Sequence, residues 1–443
     1  MADQRQLHLN INITGVGRHP AAWRVLPDPG AWVDVELFRT IARIAERGTL
    51  DAVFLSDRVA VQEGLETQPA QALEPTVLLT ALAGATERVG LIGTASTTYS
   101  DPYNLARRFA SVDHVSGGRV AWNVVTTWDP GAAGNFGLDG VPESDDRYRR
   151  ADEFVDVVRK LWDSWEDDAV VGDRDTGRFV DPDKVHPIEH VGREFRVRGA
   201  LNLPRSPQGR PVLVQAGSSD AGQALAARVA DAVFTVQTTF DAAQTFYADV
   251  KDQARRLGRN PDHVLIFPGL YPVVGGTEAE AWRRKEELDA LVDQHGELVK
   301  LARQLGVDPE ALRLDRELPY ELIARVPFKG SSGFRSATVN LGRSQQLTVR
   351  QLLSRNPGAH RIAVGAPEQI ADDIERWFTG RAADGFNLNT DVFPSGLEAI
   401  VEHLLPELRK RGVFRTEYRG TTLRDHLGLP RPASQYARAT RVS

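Results

Sequence analysis

The chain has 443 residues, a length that suits one large α/β domain with insertions or two ordinary domains. Its 54 basic and 60 acidic residues are spread along the sequence without a basic stripe, which makes nucleic acids and anionic membranes poor candidates for partners. The absence of cysteine excludes disulfides, thiolate catalysis and cysteine-ligated metals.

The amino terminus lacks the basic region and apolar stretch of a secretory signal. The longest apolar runs have the length of strands and are far shorter than a membrane span. Together these features predict a cytoplasmic protein.

Eight apolar segments have the length and residue types of β-strands, and each is followed by a segment with helical periodicity. The predicted strands cover residues 7–14, 52–56, 89–95, 120–125, 211–215, 232–237, 264–274 and 385–391. The predicted helices cover residues 34–47, 74–86, 102–115, 145–165, 220–230, 242–257, a segment from about 278, 367–379 and 396–411. This order predicts a single (β/α)8 TIM barrel over residues 1–443, with a doubly wound sheet as the alternative.

A barrel of this kind takes roughly 250 residues, so the remaining residues belong to insertions. We assign them to 58–72, 129–144, 167–210 and 305–360, followed by an irregular tail over 413–443. They fall into the long connections after strands two, four and seven, and we expect these connections to lie at the C-terminal face and cover a pocket.

Polar residues at the ends of three strands are candidates for a ligand site. Asn123 lies inside a strand that should be continuously apolar, so its amide needs partners from a ligand or from a neighbouring strand end. Thr94 and Asp57 are polar residues at the ends of two further strands and could also contact a ligand. The alternatives are that Thr94 simply favours a strand and that Asp57 forms a local turn and ion pair with Arg58.

The sequence Gly217-Ser218-Ser219 opens a predicted helix directly after a strand. Free backbone N–H groups and the positive end of the helix dipole meet there, so the site suits a phosphate, although an ordinary serine N-cap has the same pattern. Tyr148, at the start of the 145–165 helix, can also hydrogen-bond a phosphate or pack on a ring.

The first strand and the loop after it offer possible substrate contacts, namely Asn10, His19 and Trp23. A solvated loop residue is the alternative interpretation for His19. No His and carboxylate residues have metal-ligand spacing, which predicts no metal site, and the sequence contains neither a nucleophile elbow nor a phosphate-binding P-loop.

Several long blocks resemble flavin-dependent monooxygenases of the nitrilotriacetate and dibenzothiophene sulfone monooxygenase type, a branch of the bacterial luciferase-like superfamily. The blocks are TASTTYSDPYNLARRFASVDHVSGGRVAWNVVTT, DDRYRRADEFVDVVRKLWDSW, PVLVQAGSSDAGQALAARVADAVFT and GAPEQIADDIERWFTGRAADGFNLNTDVFPSGLEAIVEHLLPELRKRG. The resemblance spans about residues 5–430 and implies a TIM barrel, reduced FMN and oxygen.

The resemblance also implies flavin-binding positions, which are Asp57, Thr94, Asn123, Tyr148, Ser218 and Ser219. We expect Asp57 and Asn123 to be the catalytic residues among them. Many relatives have a histidine four residues before the tyrosine, where this chain has Ser144, so a flavin contact or proton carrier of those relatives is either absent here or replaced by a hydroxyl.

The implied reaction is a two-component monooxygenation in which a separate NAD(P)H:flavin reductase supplies FMNH2. A flavin peroxide then oxidises a small organic or heterocyclic substrate, with cleavage of a C–N or C–S bond. The alternatives are a hydride-transfer enzyme that uses flavin or deazaflavin, a non-catalytic flavin-binding protein, and a barrel hydrolase. The resemblance further predicts a homodimer or homotetramer.

Overall fold

Eight parallel strands close into a barrel, as the sequence predicts. In a computed structural model the described residues are 5–61, 65–67, 69, 73–217, 219–328, 332–355 and 360–436. The barrel strands are β1 (His8–Ile13), β2 (Ala52–Leu55), β3 (Gly90–Ser96), β4 (Val120–Val125), β9 (Val212–Ala216), β10 (Ala232–Thr235), β11 (Leu265–Val274) and β13 (Gly385–Leu388). Each pairs in parallel with the next, and β13 pairs with β1 to close the ring.

Five further strands lie outside this ring. They are β5 (Val170–Asp173), β6 (Arg178–Val180), β7 (His190–Val191), β8 (Arg196–Val197) and β12 (Arg361–Gly365). The first four form two antiparallel hairpins, whereas β12 extends the sheet by pairing in parallel with the C-terminal half of β11. The sequence prediction placed no strand at β12.

Each predicted helix agrees to within a few residues at most ends with a helix of the structure, and the described chain also has helices in the insertions and in the tail that were not predicted. The described α-helices number sixteen. They are α1 (Val35–Arg47), α2 (Pro75–Ala83), α3 (Pro102–Val115), α4 (Pro130–Ala133), α5 (Ser144–Trp162), α6 (Asp220–Val229), α7 (Phe240–Arg256), α8 (Glu278–Asp289), α9 (Gln294–Leu305), α10 (Tyr320–Arg325), α11 (Ser332–Ser344), α12 (Val349–Arg355), α13 (Pro367–Thr379), α14 (Ser395–Ala399), α15 (Leu405–Lys410) and α16 (Leu423–His426). No helix in the described part of the chain is both long enough and apolar enough to cross a membrane.

The strands alternate between two apolar cores, because successive side chains point to opposite faces of a sheet. In β2, Val53 and Leu55 pack outwards against the helices, while Phe54 points into the barrel. The C-terminal tail fills the N-terminal end of that interior, where Leu423 and Leu427 of α16 and its flank join the inner core.

Two of the long connections cover the C-terminal end of the barrel, as predicted. Residues of the 305–360 segment, which contains α10 to α12, line the cavities described below, and so does Pro69 of the connection after β2. The 167–210 segment differs from the expectation. It follows α5 and returns to the start of β9, so it lies at the opposite end, where Gln208 donates a hydrogen bond to the carbonyl of Val120 at 2.7 Å.

Candidate active site

A cavity of about 540 Å³ opens at the C-terminal ends of the barrel strands. Six of the predicted flavin positions line it together, although they come from five different parts of the chain: Asp57, Thr94, Asn123, Ser144 and Tyr148 of α5, and Ser219. The seventh, Ser218, lies outside the described residues. We call this space the ring cavity.

One wall of the ring cavity is built by β3 and β4. Their register sets Thr94 directly beside Asn123, and the Asn123 Nδ2 group donates a hydrogen bond to Thr94 Oγ1 at 2.8 Å. Both side chains are buried, and Asn123 Oδ1 has no hydrogen-bond partner. A buried acceptor without a partner is costly, so this amide oxygen is available to an N–H donor of a ligand.

A second amide in the ring cavity has the same character. Asn12 of β1 donates a hydrogen bond to Asn389 Oδ1 at 3.0 Å, while its own Oδ1 has no partner. The ring cavity therefore presents two buried acceptors of the kind that the N–H edge of a flavin can satisfy.

Asp57 follows β2 and is half-buried at the side of the ring cavity. Burial and, to a lesser degree, the nearby Glu74 carboxylate raise the pKa of Asp57 to about 6. Its carboxyl group can therefore gain or lose a proton in mildly acidic solution, which suits hydrogen bonding to a ring or transfer of a proton.

The N-terminus of α6 also lines the ring cavity, through Ser219. Ser219 is its N-cap, since its Oγ accepts a hydrogen bond from the Gly222 N–H at 3.2 Å. The Tyr148 hydroxyl lies 3.3 Å from the same Oγ. A Cβ atom on Gly217 or Gly222 would lie 3.4 or 3.1 Å from that hydroxyl, so glycine at these positions lets the tyrosine approach the helix end.

Ser219, which caps the helix, is thus also one of the residues predicted to bind a phosphate. Ser219 caps the helix, and the remaining N–H groups of the first turn, the helix dipole and the Tyr148 hydroxyl converge beside it. Ser144, the first residue of α5, is exposed and lines the same cavity. This arrangement suits a bound phosphate.

A second cavity of about 590 Å³ adjoins the first, and Thr14, Arg18 and Arg58 line both. We call it the outer cavity. It contains two of the three residues predicted to contact substrate, His19 and Trp23.

His19 is buried and is not a solvated loop residue. Its Nε2 lies 3.1 Å from Asp289 Oδ1, and its Nδ1 accepts a hydrogen bond from the backbone N–H of Ala21. Trp23 donates a hydrogen bond to the Thr67 carbonyl at 2.9 Å. The third predicted residue, Asn10, is buried within β1 and lines neither cavity.

The structure adds a buried histidine to the ring cavity that the sequence analysis missed. His360 directly precedes β12 and is 2% exposed, with its ring 5.5 Å from the Phe234 ring and its Nδ1 without a hydrogen-bond partner. Burial and the nearby Arg18 lower the pKa of His360, so its imidazole is neutral. The apolar residues that follow His360 in the sequence could have indicated a strand. The start of that strand, β12, lies at the cavity.

Among the described residues, no three His, Asp or Glu side chains are grouped so that they could hold a metal ion. Amides, hydroxyls, carboxylates, His360 and cationic side chains are among the polar groups that line the two cavities.

The chain is similar to known proteins over most of its length. A family model described as luciferase-like monooxygenase matches residues 20–384. Nitrilotriacetate monooxygenase component A of Aminobacter aminovorans is 44% identical over 454 residues, which cover 99% of this chain and 100% of that protein. Dibenzothiophene-sulfone monooxygenase of Rhodococcus erythropolis (strain XP) is 40% identical over 453 residues, which cover 98% of this chain and 99% of that protein.

A solved structure of riboflavin lyase with modified FMN and substrate riboflavin is also similar to this chain. It has a TM-score of 0.84 at 31% sequence identity, and the match covers 97% of each chain.

Proposed function

Because this chain belongs to the luciferase-like monooxygenase family and is a flavin-dependent monooxygenase, we propose that it holds reduced FMN in the ring cavity. The observation that carries this proposal is the buried Asn123 Oδ1, which lacks a partner beside Thr94. The pyrimidine part of a flavin has N–H groups that would satisfy it.

Two groups of residues in the ring cavity support one orientation of the cofactor. The buried amide oxygens of Asn12 and Asn123 are acceptors, whereas Ser219, Tyr148 and the N-terminus of α6 offer donors. The flavin ring would lie against the first group and the phosphate beside the second.

The bound flavin would supply the oxygen chemistry, and the protein would supply position, protons and a dry space. Asp57 is suited to hold or pass a proton, because its pKa lies near 6. Phe334 of the insertion and His360, which directly precedes β12 where the insertion ends, help to close the ring cavity against water.

We propose that the substrate enters the outer cavity and is oxidised with cleavage of a C–N or C–S bond. Two relatives act on nitrilotriacetate and on dibenzothiophene sulfone, and this is the range of small molecules from which we expect the substrate to come. Reduced FMN would reach the protein from a separate NAD(P)H-dependent reductase. We further propose a single barrel domain that works in the cytoplasm as a homodimer or homotetramer.

An anaerobic titration tests the cofactor, and a labelled-oxygen experiment tests the reaction. We expect reduced FMN to bind more tightly than oxidised FMN, and we expect one atom of ¹⁸O₂ in the product when reduced FMN and nitrilotriacetate or dibenzothiophene sulfone are supplied. Equal affinity for both redox states would contradict the two-component proposal. A product without label would favour the hydride-transfer alternative.

A further inference from the structure

We propose that His360 makes the ring cavity selective for reduced FMN, because its Nε2 accepts a hydrogen bond from an N–H group that oxidised FMN lacks. This inference rests on the proposed function and deepens it. Two observations carry it: the placement of the imidazole ring against β11, and a set of buried polar atoms beside the ring whose donors and acceptors match.

The imidazole of His360 fills a space in the barrel that a glycine leaves open. Leu270 of β11 packs in the outer core, so Gly269 faces the interior of the barrel. A Cβ atom on Gly269 would lie 2.2 Å from His360 Nδ1, 2.7 Å from its Cε1 and 2.9 Å from its Cγ. The Nδ1 side of the ring therefore rests on the barrel wall, and Nε2 and Cδ2 form the edge away from that wall.

Asn387 of β13 enters the barrel beside this ring. It is the direct partner of Gly269 in the sheet, and it points inwards because its two neighbours in sequence pack in the outer core. Asn10 of β1 is the partner of Asn387 on its other side. Asn10, Asn387 and His360 are 3%, 2% and 2% exposed, so their polar atoms must be satisfied by one another or by trapped water.

Four buried polar atoms of these residues have no hydrogen-bond partner within the described part of the chain. They are Asn10 Oδ1, Asn387 Nδ2, Asn387 Oδ1 and His360 Nδ1. Asn10 Oδ1 can only accept, so it matches the donor Nδ2 of Asn387. Asn387 Oδ1 then needs a donor, and His360 Nδ1 is one when it carries the ring proton. This is the one direct pairing among the four atoms that leaves none of them unsatisfied.

The pairing leaves His360 Nε2 as an acceptor. Burial and the nearby Arg18 lower the pKa of His360, so the ring is neutral and its two nitrogens share one proton. With that proton on Nδ1, Nε2 carries a bare lone pair. His360 lines the ring cavity, the rings of Phe234 and Phe334 lie 5.5 and 6.4 Å from its own, and no hydrogen bond from a described residue reaches Nε2. Its donor must therefore come from a ligand.

The ring cavity thus has three acceptors that lack a donor among the described residues, since Asn12 Oδ1 and Asn123 Oδ1 are of the same kind. An oxidised flavin ring has a single N–H group, at N3, whereas reduction adds a hydrogen at N5 and, in the neutral form, another at N1. The reduced ring therefore supplies donors that the oxidised ring lacks. A bare flavin nitrogen beside Nε2 would set two lone pairs against each other where little water is present, which costs binding free energy.

The affinities for the two redox states of FMN test the proposal on the full chain. Anaerobic titrations give both dissociation constants, and their ratio is the quantity compared. We expect the unchanged protein to favour reduced FMN about tenfold or more, and His360→Phe to lose most of that preference through weaker binding of the reduced form. His360→Gln offers an amide oxygen in place of Nε2 and should restore part of the preference.

The tautomer of His360 provides a second test that needs no flavin. In the full chain labelled with ¹⁵N-histidine, the NMR signals that disappear in both His360 variants should be those of a ring with its proton on Nδ1. Asn387→Leu removes the proposed acceptor of that proton. It should move the proton to Nε2 and lower the preference for reduced FMN, as His360→Phe does.

His403→Phe is the control variant, because His403 is exposed and lines neither cavity. It should keep the preference of the unchanged protein, and thermal unfolding of each variant shows whether the fold is intact. An undiminished preference in His360→Phe, or a proton on Nε2 in the unchanged protein, would overturn the inference. If the unchanged protein itself had no preference for reduced FMN, the proposed function would be contradicted as well.

Discussion

Three buried aspartates at one end of the barrel and two buried amides at the other differ in the partners that they have within the protein. At the N-terminal end, three aspartates stand immediately before barrel strands, and each has protein partners for its charge: Asp51 before β2, Asp231 before β10 and Asp384 before β13. At the C-terminal end, the buried amides of Asn12 and Asn123 each keep an oxygen without a partner.

The aspartates share one arrangement. Each accepts a hydrogen bond from the first part of the neighbouring strand, through the backbone N–H groups of Leu9, Leu213 and Ile266 respectively. Each also pairs with a cation: Arg415 with Asp51, Arg424 with Asp231 and Lys251 with Asp384. These carboxylates join strands to the tail and the outer helices, and their role is structural.

The comparison distinguishes buried groups that stabilise the fold from buried groups that are available to bind a ligand. A buried group whose partners are all in the protein contributes to folding, whereas a buried acceptor without a partner costs folding free energy that a ligand can recover. Substitutions at the two ends should therefore have opposite effects on stability and on flavin affinity.

The largest effect is expected at Asp51. Asp51→Ala would leave Arg415 buried without its partner, and the loss should be about 3–5 kcal/mol of unfolding free energy, measured by urea denaturation. The affinity of the folded variant for reduced FMN should not change. A loss below about 1 kcal/mol would show that the aspartate arrangement is not structural.

The same pair predicts a dependence of stability on pH. Burial raises the pKa of Asp51, but the charges of Arg415 and His8 outweigh it and lower the pKa to about 2. The contribution of Asp51 is therefore complete above its unfolded value near 3.8 and is lost as the pH falls towards 2. Denaturation curves of the unchanged protein and Asp51→Ala should converge over that range.

The opposite pattern is expected for the wall of the ring cavity. Thr94→Val with Asn123→Leu removes both members of a hydrogen bond and the acceptor that lacks a partner. The unfolding free energy should stay within about 1 kcal/mol or rise, while the affinity for reduced FMN should fall about tenfold or more. Unchanged affinity would remove these residues from the flavin site.

A smaller effect is expected for Asp57, whose pKa is raised to about 6. Protonation replaces an acceptor oxygen with a donor, so the affinity for reduced FMN should fall as the pH drops through about 6, by a few fold. Asp57→Asn should bind reduced FMN with no such dependence. Because the folded pKa is raised, ionisation of Asp57 also costs stability as the pH rises through 6.

The sequence predicts the barrel well because its signals are local. Each of the eight barrel strands is an apolar run, and caps such as Asp101 before Pro102 mark where helices begin. The role of Ser219 could be predicted for the same reason, because a serine between a strand and a helix is expected to cap that helix.

The outer cavity could not be predicted in this way. Its lining combines Arg18 from the loop after β1 with Lys285 of α8, Lys300 of α9 and Arg350 of α12, which only the packing of the insertion brings together. Short helices in the 306–358 segment also give weak periodicity, so the sequence showed an insertion but not its helices.

Reduced FMN and reduced riboflavin, which differ by the phosphate, provide the most direct test of the claim that the C-terminal end binds the cofactor. In anaerobic titrations, the unchanged protein should bind FMN at least tenfold more tightly. Tyr148→Phe with Ser219→Ala should lose much of this preference, while the affinity for riboflavin stays the same. Equal affinity for both flavins in the unchanged protein, or an undiminished preference in the double variant, would contradict the account.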